Sequence, residues 1–488
     1  MLISNLCDKR FNYEFEKLSR LFFPFERIDV VNEAKESERY AVLSASESNG
    51  NTVLSAFVSL NGNIAEESAG EKAGMELSGS DTERMLSVCL FKCLCRLTGY
   101  TPAWGILTGV RPASLFSRTV KACGLEKAKE YFSRDLLVSN EKISLCEETY
   151  LREEEIISLS AEKDISLYIS VPFCPSRCSY CSFVSHSVES AAKLIPDYVD
   201  KLCEELRITA DIVKNAGLKL KTVYMGGGTP TTLDAVQLTA VFDALRSNFD
   251  MSGVVEFTVE AGRPDTITYE KLLAIKSAGA TRISINPQTM NDKVLERIGR
   301  KHTSKQTEEA FKLARSCGFD NINTDLIAGL PSDDLESFKN TLERIKELDP
   351  ESVTVHALSM KRASDLNQKE KFSGSAEFAS DAVNYAREFL ENNGIKPYYM
   401  YRQSKTVGNL ENVGYAKKGY EGYYNVYIMD ETHTILAVGA SAVTKLRGKS
   451  RNDIKRIFNY KYPYEYINRF AEQTARKEEV VRFYEKNT

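Results

Sequence analysis

Histidine is scarce in this chain, with four among 488 residues, and tryptophan occurs once. Four imidazoles disfavour a histidine-built metal centre or a histidine-based triad. Charge of one sign is lacking too. Sixty-four Lys and Arg face 68 Asp and Glu, a formal net charge of −4, so no basic footprint of a nucleic-acid binder appears. No run of about 18 apolar residues occurs, so no membrane-spanning helix is predicted. Met1 to Arg10 lacks the apolar core of a secretory signal, and a cytoplasmic protein is expected. The one Gly-Gly-Gly run is not followed by a Walker lysine, which argues against a phosphate loop. No repeat array or low-complexity tail is evident.

What is present is a large core and many thiols. Hydrophobic residues make up 42% of the chain, and the length suggests about two to four domains. Eleven cysteines in a reducing compartment point to thiols or a cluster, not to disulfides. Three of them, Cys174, Cys178 and Cys181, share one short stretch at C-x3-C-x2-C spacing. That spacing brings three thiolates round one loop, as a cuboidal iron–sulfur cluster requires, and leaves one iron open to a small molecule. A zinc site would need a fourth ligand, which His186 could supply.

The pattern around the loop sets the fold class. Residues 1–160 form an N-terminal α+β region, with short strands at Ala41–Leu43 and Thr52–Leu60 and an apolar helix over 81–98. Cys89 and Cys93 share one face of that helix and read as core packing or, alternatively, as part of a second cluster. The loop Trp104–Pro112 either caps a site or joins helices. From Ile165 the sequence repeats strand, loop and helix, with strands at Ile165–Val171, Leu220–Met225, Val254–Val259, Arg282–Ile285, Asn321–Ile327 and Ser352–His356. Such alternation predicts parallel βα units, here a partial (β/α)6-type barrel over 161–372. A small α+β C-terminal domain over 373–488 is expected to cover the substrate.

The unusual residues fall at strand ends, where such folds place their chemistry. The cysteine loop follows the first strand and Gly226-Gly227-Gly228-Thr229-Pro230 the second. Glu260 ends the third, Asn286-Pro287-Gln288 follows the fourth, and Asp325 ends the fifth. Beyond a loop from Arg362 to Ser375 and a helix over Ala376–Asn393 lies an aromatic block: Tyr398, Tyr399, Tyr401, Tyr415, Tyr420, Tyr423, Tyr424 and Tyr427. Strands around Tyr423–Met429 and Thr434–Val438 are expected to pair in a small sheet. The block either packs on the barrel or forms a wall for a large flat substrate, with Arg402, Lys405, Lys417 and Lys418 available for carboxylates. The Gly439–Ala442 segment is a close backbone approach to that ligand or a turn.

Together these motifs resemble the radical S-adenosylmethionine (SAM) superfamily. Within it the chain resembles the oxygen-independent coproporphyrinogen III oxidase group, and most of all its longer coproporphyrinogen dehydrogenase HemZ branch. Leu107–Pro112, Val259–Pro264 and Gly408–Lys417 carry the branch and group likeness. The resemblance implies that Cys174, Cys178 and Cys181 ligate a [4Fe–4S] cluster. It implies that Gly226, Gly227, Gly228 and Thr229 contact the methionine end of SAM, with Glu260 beside it. Gln288, Arg300 and Asp325 would hold ribose and carboxylate, and Tyr168 and Tyr180 would flank cluster and adenine. Two positions depart from the oxidases: Ser170 stands where they carry His, and Phe183 where they carry a fourth Cys.

The implied reaction is oxidative decarboxylation of coproporphyrinogen propionates to vinyl groups. A 5′-deoxyadenosyl radical drives it, an unidentified electron donor feeds the cluster, and a tetrapyrrole is the substrate. The alternative is a haem-binding or haem-delivery protein on the same scaffold, and a third reading is a radical SAM enzyme acting on another carboxylated substrate.

Overall fold

Buried side chains alternate with partly exposed ones from Val53 to Val58, the period of a sheet with one face on a core. The computed structural model describes residues 1–48, 51–71, 78–181, 186–359, 375–403, 406–449 and 453–487. They cluster into two units, Met1–Tyr150 with Tyr401–Glu411, and Leu151–Met400 with Asn412–Thr488.

In the first unit, β1 (Leu2–Asn5) pairs in parallel with both β2 (Asp29–Val31) and β3 (Arg39–Ser48). An antiparallel meander continues through β4 (Asn51–Leu60) and β5 (Asn63–Glu71), giving the order β2-β1-β3-β4-β5. Asn61 and Gly62 both have positive φ (52° and 88°), the two-residue Asn-Gly turn that matches strand twist in a hairpin. Helix Gly79–Thr98 buries Leu86, Cys89, Leu90, Cys93 and Leu94 in the same core as Ala41, Leu43, Leu54 and Ala56. Burial pushes the Cys93 thiol up to about 12, and its Sγ lies 3.5 Å from the Ala56 carbonyl. Cys89 and Cys93 are core packing. The Trp104 loop is packing as well: Trp104 Nε1 donates to Glu411 Oε2 at 2.7 Å, and Lys142 Nζ reaches Glu411 Oε1 at 2.8 Å.

In the second unit the parallel strands are buried almost throughout, as expected of strands covered on both faces. In chain order they are β6 (Asp164–Val171), the two-residue β7 (Phe173–Cys174) and β8 (His186–Ser187), β9 (Lys219–Gly227), β10 (Glu256–Glu260), β11 (Arg282–Ser284), β12 (Ile322–Ala328) and β13 (Ser352–Ala357). Next come β14 (Lys396–Arg402) and β15 (Glu411–Ala416), of which Tyr401, Arg402 and Glu411 are counted with the first unit, then β16 (Thr434–Val438), β17 (Val443–Arg447) and β18 (Ile454–Phe458). Six strands, β6-β9-β10-β11-β12-β13, are parallel neighbours in sequence order, the expected partial barrel. Helices Ile195–Asn215, Ala235–Asn248, Tyr269–Ser277, Ser304–Ser316 and Leu335–Leu348 alternate with them.

The C-terminal segments differ from expectation. Tyr423–Asp430 is a helix. It starts at Gly422, where a Cβ would meet Arg282 Nη1 at 2.8 Å and Tyr398 Oη at 2.9 Å. Packing of Tyr424 and Tyr427 into the core outweighs their β propensity. Thr434–Val438 is a strand, but its partner is β6, in parallel, so it widens the barrel sheet. The Gly439–Ala442 segment packs on β6 as well, with Ser170 Oγ donating to the Ala440 carbonyl at 2.8 Å. Within the loop expected from Arg362 to Ser375, residues 362–374 lie outside the described residues, as do Phe183 and Lys405.

Glu205, on helix Ile195–Asn215, ties the C-terminal segments to the barrel. Fully buried, it accepts from Gly439 N (2.6 Å), Tyr466 Oη (2.7 Å) and Asn459 Nδ2 (3.0 Å), and pairs with Lys477 Nζ at 3.1 Å. Removing one partner of a buried pair strands the other charge. Glu205→Ala is expected to lower unfolding free energy by about 3–5 kcal/mol. Denaturant titration checks this, and a loss below about 1 kcal/mol would contradict it.

Candidate cofactor site

The site begins where β6 ends. After Val171 the chain turns through Pro172 into β7, which carries Cys174, and the loop runs on to Cys181. Gly228 N donates to Val171 O and Thr229 N to Phe173 O, each at 2.7 Å. A Cβ on Gly228 would lie 2.5 Å from Phe173 O and 2.9 Å from Phe173 C and N, so only glycine admits this approach. Thr229 Oγ1 points at Cys174 Sγ from 3.6 Å. On the other side, Ser179 N donates to Ile298 O at 3.0 Å and Ser176 Oγ to Gly299 O at 3.1 Å. The loop is therefore held from two sides by backbone. His186 packs its ring T-shaped on Tyr462, centroids 5.8 Å apart. No cysteine of the chain is in a disulfide.

Beside the loop three tyrosines stack. The three rings form a triangle with near-parallel planes: Tyr224 lies 6.2 Å from Tyr168 (20°) and 4.6 Å from Tyr424 (24°), and Tyr168 lies 6.3 Å from Tyr424 (20°). The Tyr224 hydroxyl donates to Glu260 Oε1 at 2.6 Å. Gly226 leaves room for this pair, since a Cβ there would sit 2.9 Å from both Glu260 Oε1 and the Tyr224 ring. Burial raises the Glu260 carboxyl to about 7. The Tyr224 bond and the charges of Arg282 and His356 pull it down, while Asp325 pushes it up.

Asp325, inside β12, sits 3.8 Å from His356 Nε2 and accepts from Asn323 Nδ2 at 2.8 Å. Burial opposes its ionisation, but His356 and Asn323 hold it below the usual carboxylate range. Gln288 takes a left-handed turn (φ 72°) and bridges to β12 through its backbone, N to Asp325 O and O from Ile327 N, both 3.0 Å. Arg300 spends its donors inside the protein: on Tyr180 Oη (3.3 and 3.1 Å), Asn286 O (2.6 Å) and Gly262 O (3.4 Å). Direct contacts thus link Cys174 with Thr229, Glu260 with Tyr224, and Arg300 with Tyr180. Arg300 reaches the cysteine loop through Tyr180 and through its interaction with the Cys178 thiol.

The carboxylate partners expected for a substrate are disposed otherwise. Arg402 belongs to the first unit, 3% exposed, with Nη1 on Leu107 O at 2.9 Å and its guanidinium 5.5 Å from the Trp104 ring centre. Lys417 pairs with Asp349 at 2.8 Å and Glu351 at 3.6 Å. Most of the tyrosine block is buried packing, including Tyr398, Tyr399, Tyr415, Tyr424 and Tyr427. Sequence reasoning missed Tyr224, His356 and Arg263. Tyr224 was findable, because it lies two residues before Gly226 on one strand and so faces the same side.

The donor set fits an iron–sulfur cluster with a small cationic ligand. Three thiols share one loop, bare backbone lies at Gly226–Gly228, and two carboxyl groups, Glu260 and Asp325, could face an ammonium or sulfonium. A family model described as the Radical SAM superfamily matches residues 168–345. The chain is 39% identical over 390 residues to the oxygen-independent coproporphyrinogen-III oxidase-like protein HemZ of Bacillus subtilis, covering 78% of this chain and 77% of that one. It is also 39% identical to the haem chaperone HemW of the same organism, over 197 residues, 40% of this chain and 50% of that one. Among solved structures, coproporphyrinogen III oxidase (HemN) of Escherichia coli, a radical SAM enzyme, shares the fold with a TM-score of 0.51. The two are 23% identical over 66% of this chain and 72% of that one.

Glu260 gives a direct test of the site's electrostatics. In the ligand-free protein, infrared spectra should show a protonated-carboxyl band that disappears as pH rises through about 7. Glu260→Gln should remove that component. Tyr224→Phe removes a bond that favours the carboxylate, so the transition should move to higher pH. A Glu260 band already absent at pH 5 would contradict the reading.

Proposed function

We propose, of a chain that belongs to the family of the oxidase-like protein HemZ within the radical SAM superfamily, that it decarboxylates the propionates of coproporphyrinogen III without oxygen, giving the vinyl groups of protoporphyrinogen IX. Its cofactors are a [4Fe–4S] cluster and S-adenosylmethionine. One observation carries the substrate reading. The likeness to HemZ spans 390 residues at 39% identity, far more than the 168–345 segment common to the superfamily, whereas HemW proteins match either over 197 residues at 39% or over up to 307 residues at 29%.

When bound, the two cofactors supply a one-electron reductive cleavage that produces methionine and a 5′-deoxyadenosyl radical. In this reading Cys174, Cys178 and Cys181 hold the cluster, and Gly226–Gly228 with Thr229 offer backbone to the methionine end. Glu260, near its midpoint at neutral pH, would receive the ammonium as a carboxylate, its proton going to solvent as the cation binds. Asp325 and Gln288, joined across β12, receive the ribose. Arg300 orients Tyr180 and through it the loop that carries Cys178 and Cys181. The Tyr168–Tyr224–Tyr424 stack walls the site and excludes water.

Haem delivery is the second reading. It is favoured by the HemW likeness and by Phe183 at the position of the oxidases' fourth cysteine. Reconstituted protein incubated without oxygen with SAM, a low-potential reductant and coproporphyrinogen III separates the two. Protoporphyrinogen and CO2 should form in step with 5′-deoxyadenosine, and Cys178→Ala should yield none of them and lose its iron–sulfur absorption. Stoichiometric haemin binding with no decarboxylation by iron-loaded protein would establish delivery instead.

A further inference from the structure

Three residues past Glu260, Arg263 leaves the end of β10 and is fixed at once by a short turn. Thr266 N and Oγ1 both donate to its carbonyl, at 2.9 and 2.8 Å. Its side chain is 4% exposed and crosses to the cysteine loop. There Nη1 lies 3.2 Å from Ser176 Oγ, 3.4 Å from Ser176 O and 3.9 Å from Cys178 Sγ, while Nη2 lies 3.2 Å from Ser176 Oγ. Behind it Asp265 accepts from Nε at 3.0 Å and from Nη2 at 3.1 Å.

We propose that Arg263 positions Cys178 and raises the reduction potential of the cluster that Cys178 ligates, with Asp265 as the opposing charge that limits the effect. The inference rests on the reading of Cys178 as a ligand. A hydrogen bond or a buried cation at a ligand sulfur stabilises the more negative, reduced state, and in a site closed to water that influence is only weakly screened. Arg263 is suited to this role because it cannot lose its charge and its fork spans Ser176 and Cys178 together. Arg300 shares part of this role. It is held by Tyr180 and two carbonyls, and its buried guanidinium also interacts with the Cys178 thiol, so one cation remains near that sulfur when Arg263 is removed. His302, buried beside both guanidiniums, is pushed down to about 3, first by burial and then by their charges, and so is neutral. Arg263 is a positioning residue, acting through Cys178 and not on the substrate.

The test is an anaerobic spectroelectrochemical titration of reconstituted wild type, Arg263→Gln, Arg263→Lys and Asp265→Asn, with iron and sulfide measured on each. Arg263→Gln should have a more negative potential than wild type, Arg263→Lys an intermediate one, and Asp265→Asn a more positive one. A packing role alone would not give opposite signs at Arg263 and Asp265. Iron-replete Arg263→Gln at the wild-type potential would overturn the proposal, as would shifts of the same sign in Arg263→Gln and Asp265→Asn. Should Arg263→Gln fail to hold a cluster, the ordering of the lysine and asparagine variants about wild type decides. Cys178→Ala is titrated alongside: full iron and an unchanged spectrum there would remove the ligand reading itself. A failure confined to Arg263 would leave that reading standing.

Discussion

The site depends on one close approach, that of the Gly228 backbone to the backbone of Phe173. Two hydrogen bonds of 2.7 Å, from Gly228 and Thr229, fasten the start of the cysteine loop to the end of the neighbouring strand. No side chain fits between them. From this contact the rest follows in register. β6 and β9 pair from Asp164 to Val171, which sets Ser170 opposite Gly226 and Val171 opposite Gly227. Ser170 is then confined. Its hydroxyl lies 3.0 Å from where a Gly227 Cβ would be, and it donates to Ala440 O. A larger ring at this position would have to displace the β16 end, which gives a physical reason for serine where the oxidases carry histidine.

The second constraint is electrostatic. Glu260 at the end of β10, Arg282 at the start of β11, Asp325 within β12 and His356 near the end of β13 influence one another, and burial raises one carboxyl while His356 and Asn323 lower the other. Two acids in one pocket are thereby separated in protonation: Asp325 ionised, and Glu260 ready to ionise when a cation arrives. The Tyr224 hydroxyl bond fixes the direction of that carboxyl, and the flanking rings of Tyr168 and Tyr424 fix Tyr224.

The barrel was legible in the sequence because its signals are local. Apolar runs, helix caps and the cysteine spacing lie within a few residues of one another, and all six expected strands appear with bounds shifted by two residues or fewer. The glycine run and Glu260 were legible for the same reason, each at the end of a strand. What failed depends on partners far along the chain. Tyr423–Asp430 reads as strand by composition but is helical, because its tyrosines pack inward and Gly422 fits against Arg282. Arg402 reads as a cation available for substrate carboxylates, yet its contacts are Leu107 and Trp104, nearly 300 residues earlier. Arg263 stood out only as part of the Val259–Pro264 likeness, because nothing local reveals a side chain reaching Cys178, 85 residues away.

The central claim is that the cofactor loop is held by the glycine-bearing strand end. Gly228→Ala measures this most directly, because its Cβ meets backbone atoms that cannot rotate away. The account predicts a variant with wild-type circular dichroism and a melting temperature lowered by only a few degrees. It predicts that reconstitution of this variant yields well under half the wild-type iron and that SAM affinity falls by at least about tenfold, roughly 1.4 kcal/mol. Full iron content and wild-type SAM affinity in Gly228→Ala would contradict it.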